Sequence, residues 1–461
     1  MKKLLGLTLL FALCLMGLGC ASNSSSGGGS NPQTANVFVT GEDAPLPSVV
    51  GFNVALNSIT LNGQGNTTAT VLSTPTTVDF ARLVGLRSPL SFSSVPANTY
   101  ASATIVLASP VINYITLNPS PTVTTLNGTF PNNQNPYTVT VNFPTPMVVG
   151  TNGLAGLRMD FDIRQSLAVD GNGQITGAVN PVIFIKATRA SDPDGQITDL
   201  TGGLVSVSTS NSSFVLQGPY GRQLAVYVNS NTQFNSGWSI NNMATPAIVG
   251  VQGAFQADGS LMATGVEVIT TSRSFVSGRV LALTTNGSNQ VQQITMWVGE
   301  TGADMVSDID SIQTVNVSLL DNSNFDICFF NGAVTESWFS NTTVVVGQRV
   351  FIGGSYSNNV FTPEMISLRL QGVYGMFVPA SVTVDSGNLG SFQMSNNGLV
   401  GYSVGGPVTV NTFNLTYFNN LTGLGQLQTQ TTSIPLVTRG LLLAPNGTPE
   451  VYAGFVSEPS N

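Results

Sequence analysis

Apolar and polar residues alternate with a period of two along most of the chain, and the 3.6-residue repeat of an amphipathic helix is nearly absent. The cleanest stretch runs from Leu157 to Arg164. As an extended strand it puts Leu157, Met159, Phe161 and Ile163 on one face and Arg158, Asp160, Asp162 and Arg164 on the other. Looser alternation covers Tyr100 to Leu107, Thr138 to Phe143, Leu224 to Val228 and Met365 to Leu370. Turn signals separate these runs: Asp170-Gly-Asn-Gly173, Asp258-Gly259, Asn286-Gly287 and Asn446-Gly447. Val, Ile, Thr, Phe and Tyr, which suit a pleated surface, supply the strands. The one early helix predicted is a turn or two over Val78 to Leu83. The pattern therefore predicts an all-β chain.

The first twenty residues break that pattern. Lys2 and Lys3 precede an apolar run from Leu4 to Leu18, and Gly17-Leu-Gly-Cys20 closes it with mostly small residues. This is the layout of an export signal, and the run is short for a bilayer span. The segment resembles the processing site of bacterial lipoproteins, which implies that Cys20 becomes a lipidated N-terminus; Gly17 stands where such sites usually carry Leu. Ala21 after the cysteine, in place of Asp, implies sorting to the outer membrane of a Gram-negative envelope. The expected organisation opens with a signal over 1–20 and a flexible Ser/Gly tether over 21–35. Cys14 leaves with the signal, so Cys328 is the last thiol and has no internal partner. It lies in the apolar run Phe325 to Phe330 and is expected to be a buried small hydrophobe.

Residues 36–190 read as one β-sandwich domain. Its landmarks are Asp43-Ala-Pro45, Phe52 to Leu61, Val95-Pro-Ala-Asn-Thr-Tyr100, and Phe161-Asp-Ile163 with Ser166 and Leu167. These resemble an uncharacterised bacterial lipoprotein domain whose entry motif is Thr-Asp-Ala-Pro; here Glu42 precedes the Asp and Asn98 replaces a Gly. The resemblance implies a prealbumin-like sandwich and assigns no activity.

Beyond Ser191-Asp-Pro-Asp-Gly195 a weak internal repeat begins. Its heads are Gly203 to Val207, Gly278 to Ala282 and Gly372 to Met376. Its tails are Gly250 to Phe255 with Asp258 to Val268, Gly347 to Tyr356 with Phe361 to Leu368, and Arg439 to Leu443 with Val451-Tyr452. Three units follow from this, 199–272, 274–371 with an insertion around Asp304 to Asn324, and a divergent 372–458. The first unit resembles a family of small bacterial β-barrel domains found in tandem in exported proteins. The expectation is about three small OB-like barrels, a fold that closes its own edges.

Composition narrows the chemistry. Charged residues make up 8% of the 461, far below the soluble average of about 25%, so polar surface must come from Thr, Ser, Asn and Gln. Charge also protects strand edges, and its scarcity leaves self-association open. There is no His, which removes Ser-His-Asp and Cys-His catalysis and His-ligated zinc. Without Lys2 and Lys3 the chain has 12 basic and 22 acidic residues, a net charge near −10, which argues against a nucleic-acid partner. Lys186 then remains as the single Lys and reads as a strand-end residue with its head in water.

Four clusters could carry function. Asp160 and Asp162, two apart on a strand face and roughly 7 Å from each other, have glycosidase-like spacing, but Arg158 and Arg164 on that face would hold both ionised. Asp192, Asp194 and Asp199 imitate part of a calcium loop and read as a linker turn. Asp304, Asp308 and Asp310 are the better metal candidates, with a solvated loop as the plainer reading. Trp238 and Trp338 could stack on sugar rings from barrel loops or simply pack, as could Trp297. No catalytic residue and no cofactor are assigned. The function expected is a non-catalytic envelope lipoprotein that binds or supports, partnered with the membrane through its anchor. Binding of a glycan or envelope polymer by barrel loops is the alternative, and a carboxylate-only hydrolase a third.

Overall fold

The computed structural model describes residues 34–458 apart from 45–48, 84–85, 117–121, 172–173, 219–220, 329–333, 335 and 396–406. The expected signal over 1–20, the Cys20 anchor and all but the last two residues of the 21–35 tether lie outside the described residues. From Gln33 onward the chain forms one unit, and it is all-β, as the period-two pattern predicts.

Two sheets face each other in the N-terminal part. One has the order Ile183–Thr188, Leu154–Asp162, Thr34–Ala44, Ser88–Pro96, with Thr34–Ala44 parallel to Leu154–Asp162 and antiparallel to Ser88–Pro96. The other is built on the long antiparallel pair Val49–Gly63 and Asn98–Thr116, flanked by Thr68–Leu72, Thr76–Asp79, Thr122–Asn127 and Tyr137–Val149. Val37, Val39, Leu157, Met159 and Phe161 of the first sheet share a core with Phe52, Val54, Leu56, Ile105 and Leu107 of the second. Each such side chain contributes roughly 1.5–3 kcal/mol by leaving water. Alternation also fixes what the other face does. Phe38, between Val37 and Val39, points away from this core into the core of the first repeat, where its ring lies 5.2 Å from Phe255.

The repeats share one strand order. In the first, the strands are Ile197–Ser208, Ser213–Gln217, Gln223–Tyr227, Ile248–Phe255 and Leu261–Thr270. They are arranged third, second, first, fourth, fifth, and a parallel pairing of Val226 with Leu261 and Tyr227 with Met262 closes the ring. The third repeat does the same with Gln371–Phe377, Leu389–Ser395, Val408–Asn419, Pro435–Leu443 and Glu450–Ser457. It adds the hairpin strand Thr383–Ser386 and a helix, Leu424–Thr429, that caps its core with Leu424 and Leu427. The repeat least like the others in sequence thus closes fully.

The middle repeat meets the expectation of about three barrel repeats in its strand order but not in ring closure. Its strands Ser274–Thr285, Val291–Thr301, Ser311–Asn316, Arg349–Ser357 and Val360–Leu368 keep the order. Among the described residues, however, the third makes no ladder with the fifth, so two barrels are closed and one is open. The chain reaches that third strand through the excursion Gly302 to Asp310, whose end is tied to the sandwich by an Asn53–Asp310 hydrogen bond of 2.9 Å. Leu441, Leu443 and Tyr452 of the third repeat complete the open repeat's core.

Other expectations shift locally. Val78 and Asp79 belong to a strand, and only Phe80–Leu83 forms a helical turn, of the 3₁₀ type. Asp162 ends its strand by capping the short helix Ile163–Ser166, so Arg164 sits in that helix and not on the strand's polar face.

Candidate functional site

The site begins at a strand end. Asp79 closes Thr76–Asp79, and its Oδ1 accepts the backbone N–H groups of Phe52 at 2.8 Å and Ala81 at 3.1 Å. A carboxylate that accepts from two residues on fixes a tight turn. That turn, Phe80–Leu83, directs Arg82 across to Glu300, at the end of the second strand of the middle repeat. The other oxygen of Glu300 takes Nη2 of Arg349 at 2.9 Å. Arg349 donates again through Nη1 to the carbonyl of Leu370 at 3.1 Å, and its backbone N–H goes to Gln371 Oε1 at 2.6 Å. One glutamate therefore holds an arginine from the sandwich and another that is fastened to the entry of the third repeat.

Beside this network lies a cleft of about 490 Å³, counting the space that opens to solvent, lined among others by Val50, Asp79, Arg82, Arg279, Trp297 and Gln371. Sheet register sets its floor. Arg279 stands directly opposite Trp297 on one side and Arg349 on the other, so the three share a face. Trp297 is 4% exposed, packed against Ile115 and Leu281, and its Nε1 is sealed from solvent with no partner among the described residues. Asp79 Oδ2 is equally sealed and unpartnered. Burial pushes the Asp79 carboxyl up to about 6, helped by the negative charge of Asp310 and opposed by the two backbone N–H groups and Arg82. Burial also raises Asp310, against the pull of Asn53 and Arg82.

Arginines and acids meet at other joints too. Arg369, just after the last strand of the middle repeat, grips Glu267 of the first. Arg164 of the sandwich lies 5.0 Å from the ring centre of Tyr374 in the third repeat, whose hydroxyl burial makes harder to ionise. Apolar burial is therefore not alone in holding the parts together, contrary to what the low charge count suggests.

The residues singled out from the sequence fall elsewhere. Asp304 accepts from the Ser274 hydroxyl, Asp310 turns to Asn53, and Asp308 lies in the turn Val306–Asp308. The three do not converge, and no metal-holding group of three acidic or cysteine residues occurs among the described residues. Trp238 is half-buried against the first repeat's core. Trp338 packs on the middle repeat with its ring 5.2 Å from that of Tyr452. Neither is a free platform. Asp160 lies 3.8 Å from Arg158 and Asp162 3.7 Å from Arg164. Asp162 is also occupied by the backbone and side-chain N–H groups of Gln165, at 2.8 and 2.6 Å. Asp192 accepts from the Arg189 N–H in the linker turn, while the side chains of Asp194 and Asp199 lie outside those described. Cys328 is buried and not disulfide-bonded, and Lys186 is exposed on its strand.

Residues 34–176 match the family model for the domain of unknown function DUF4382. No curated protein and no solved structure matches the chain. The match covers most of the sandwich but not its edge strand Ile183–Thr188, and the barrel-bearing region that contributes Arg279, Trp297, Glu300 and Arg349 lies beyond it. Sequence reading passed over Asp79, Arg82, Arg279, Glu300 and Arg349. The available signal was their scarcity, since so few charges must each be spent somewhere specific.

Proposed function

We propose that the chain is a non-catalytic module of the bacterial cell envelope, lipid-anchored through Cys20 at the outer membrane, that works by binding or by structural support. The observation that carries this reading is where the ionisable side chains are spent. Arg82 reaches Glu300 across the joint between the sandwich and the middle repeat, Arg349 holds the same glutamate, Arg369 and Glu267 pair across the joint between two repeats, and Asp162 caps a helix. Side chains committed to joints do not meet a substrate. The N-terminal layout from Lys2 to Cys20 supports the anchor, and the net negative charge supports a partner other than nucleic acid.

The mass of the mature N-terminal peptide tests the anchor. A diacylglycerol-modified Cys20 is expected, and an unmodified Cys20 or a different cut would remove the anchor from the reading. A panel of glycans and envelope polymers on residues 21–461 tests the alternative of glycan binding by barrel loops, with Trp238→Ala and Trp338→Ala alongside. Binding indifferent to both changes would end a stacking role. The hydrolase alternative requires an activity lost in Asp160→Asn or Asp162→Asn protein that still folds.

A further inference from the structure

We propose that the cleft between the sandwich and the middle repeat binds a small zwitterion of the α-amino acid class, its carboxylate on Arg279 and the Trp297 indole N–H and its ammonium group on Asp79. Three residues with unmet capacity line this cleft. Arg82 and Arg349 are both taken by Glu300, whereas Arg279 makes no hydrogen bond or ion pair among the described residues. Trp297 Nε1 is a buried donor without an acceptor, and Asp79 Oδ2 a buried acceptor without a donor. Leaving each of those two polar atoms unmet costs roughly 1–3 kcal/mol, so a ligand that satisfies both is favoured.

The geometry suits a carboxylate on one side. Arg279 and Trp297 are directly paired across two strands, which places their Cβ atoms about 5 Å apart, so both side chains rise from one spot on the floor of the cleft. On the other side, Asp79 Oδ1 is occupied by two backbone N–H groups, which leaves Oδ2 as the free oxygen. A simple anion would leave Oδ2 unmet beside the charge of Asp310, and a neutral polyol would leave the Arg279 charge unpaired. Gly278, Gly299 and Gly372 line the cleft with backbone alone, while Val50 and Leu86 offer an apolar wall, so a small apolar side chain fits best. The inference deepens the binding-module reading and rests on it only in treating the cleft as a binding site.

The test uses the mature chain, residues 21–461, titrated with L-alanine and followed by calorimetry and by the three tryptophan indole N–H resonances, that of Trp297 assigned with Trp297→Phe. Saturable binding that moves the Trp297 resonance is expected. Acetate and ethylamine should each bind at least about tenfold more weakly, and Arg279→Gln and Asp79→Asn should each weaken L-alanine by a similar factor at unchanged circular dichroism. The proposal is overturned if L-alanine up to about 10 mM leaves the Trp297 resonance unmoved, or if acetate or glucose binds as well as L-alanine. Parent-like binding by both variants would overturn it too. Should Arg279→Gln fail to fold, the comparison of ligands on the parent protein still decides. Failure here leaves the acyl mass on Cys20 as it was found.

Discussion

Arg369 Nη1 donates to both carboxylate oxygens of Glu267, at 2.8 and 2.7 Å, from 102 residues away in the chain, and the two side chains are 8% and 6% exposed. Each charge lost its hydration to reach this joint, so removing one strands the other. Arg369→Met is expected to destabilise the protein by about 3–5 kcal/mol in denaturant unfolding. Adding Glu267→Leu should recover most of that loss, because an apolar pair has no desolvation to repay. A double variant as unstable as the single would mean that shape, not charge, governs the joint.

Asp79 makes stability depend on pH in a direction opposite to that of most carboxylates. Its carboxyl is raised from 3.8 to about 6, so the folded state holds this proton more tightly than the unfolded chain does. The contribution is fully present below pH 4 and is lost as pH rises through about 6. Facing it are Asp310 and Arg82, with the N–H groups of Phe52 and Ala81. Asp79→Asn keeps an oxygen for those N–H groups and removes the titration. It should match the parent near pH 4 and exceed it near pH 7, by on the order of 1–3 kcal/mol. Asp258, lowered by the hydroxyl and N–H of Ser260, shifts the other way, so the difference between variant and parent is the quantity to read.

Gly259 and Gly447 occupy equivalent hairpins between the fourth and fifth strands of the two closed barrels, with φ of +86° and +79°. A Cβ on Gly259 would also lie 3.0 Å from the Phe92 ring, whereas one on Gly447 would meet open space. Alanine at Gly447 should cost about 1 kcal/mol for the backbone alone. Alanine at Gly259 should cost more, on the order of 2–3 kcal/mol, since the sandwich must also yield. Thermal unfolding of the two variants side by side checks the difference.

Cys328 is 4% exposed within the middle repeat's core. Its thiol should resist an aromatic disulfide reagent in the native protein and react at the rate at which that repeat opens. Prompt labelling without denaturant would contradict this packing.

Much of this architecture was legible in the residue pattern. The repeat heads, Gly203, Gly278 and Gly372, all lie on first strands, and the tails at Gly250, Gly347 and Arg439 fall on or just before fourth strands. The Leu157 to Phe161 alternation appears as buried Leu157, Met159 and Phe161. What stayed illegible depends on partners distant in the chain. Asp162 with Gln165 three residues on has the spacing of a helix start, which the strand alternation through Ile163 masks, whereas Trp297 gives no local sign that Arg279 stands opposite it. The motif-like clusters misled for the same reason. Asp304, Asp308 and Asp310 are close in sequence, yet their neighbours in space are Ser274 and Asn53. Spacing along the chain reports which side chains could meet, and only the register of the sheets decides which do.

The unclosed seam of the middle repeat has a further consequence. With the third strand unladdered to the fifth, this repeat borrows its enclosure: Leu441, Leu443 and Tyr452 from one neighbour, and Asn53 and Arg82 from the other. Excision of either flank would uncover it, so proteolytic trimming should yield either the whole assembly or fragments that lack the middle repeat's native fold, and never that repeat as a stable piece by itself.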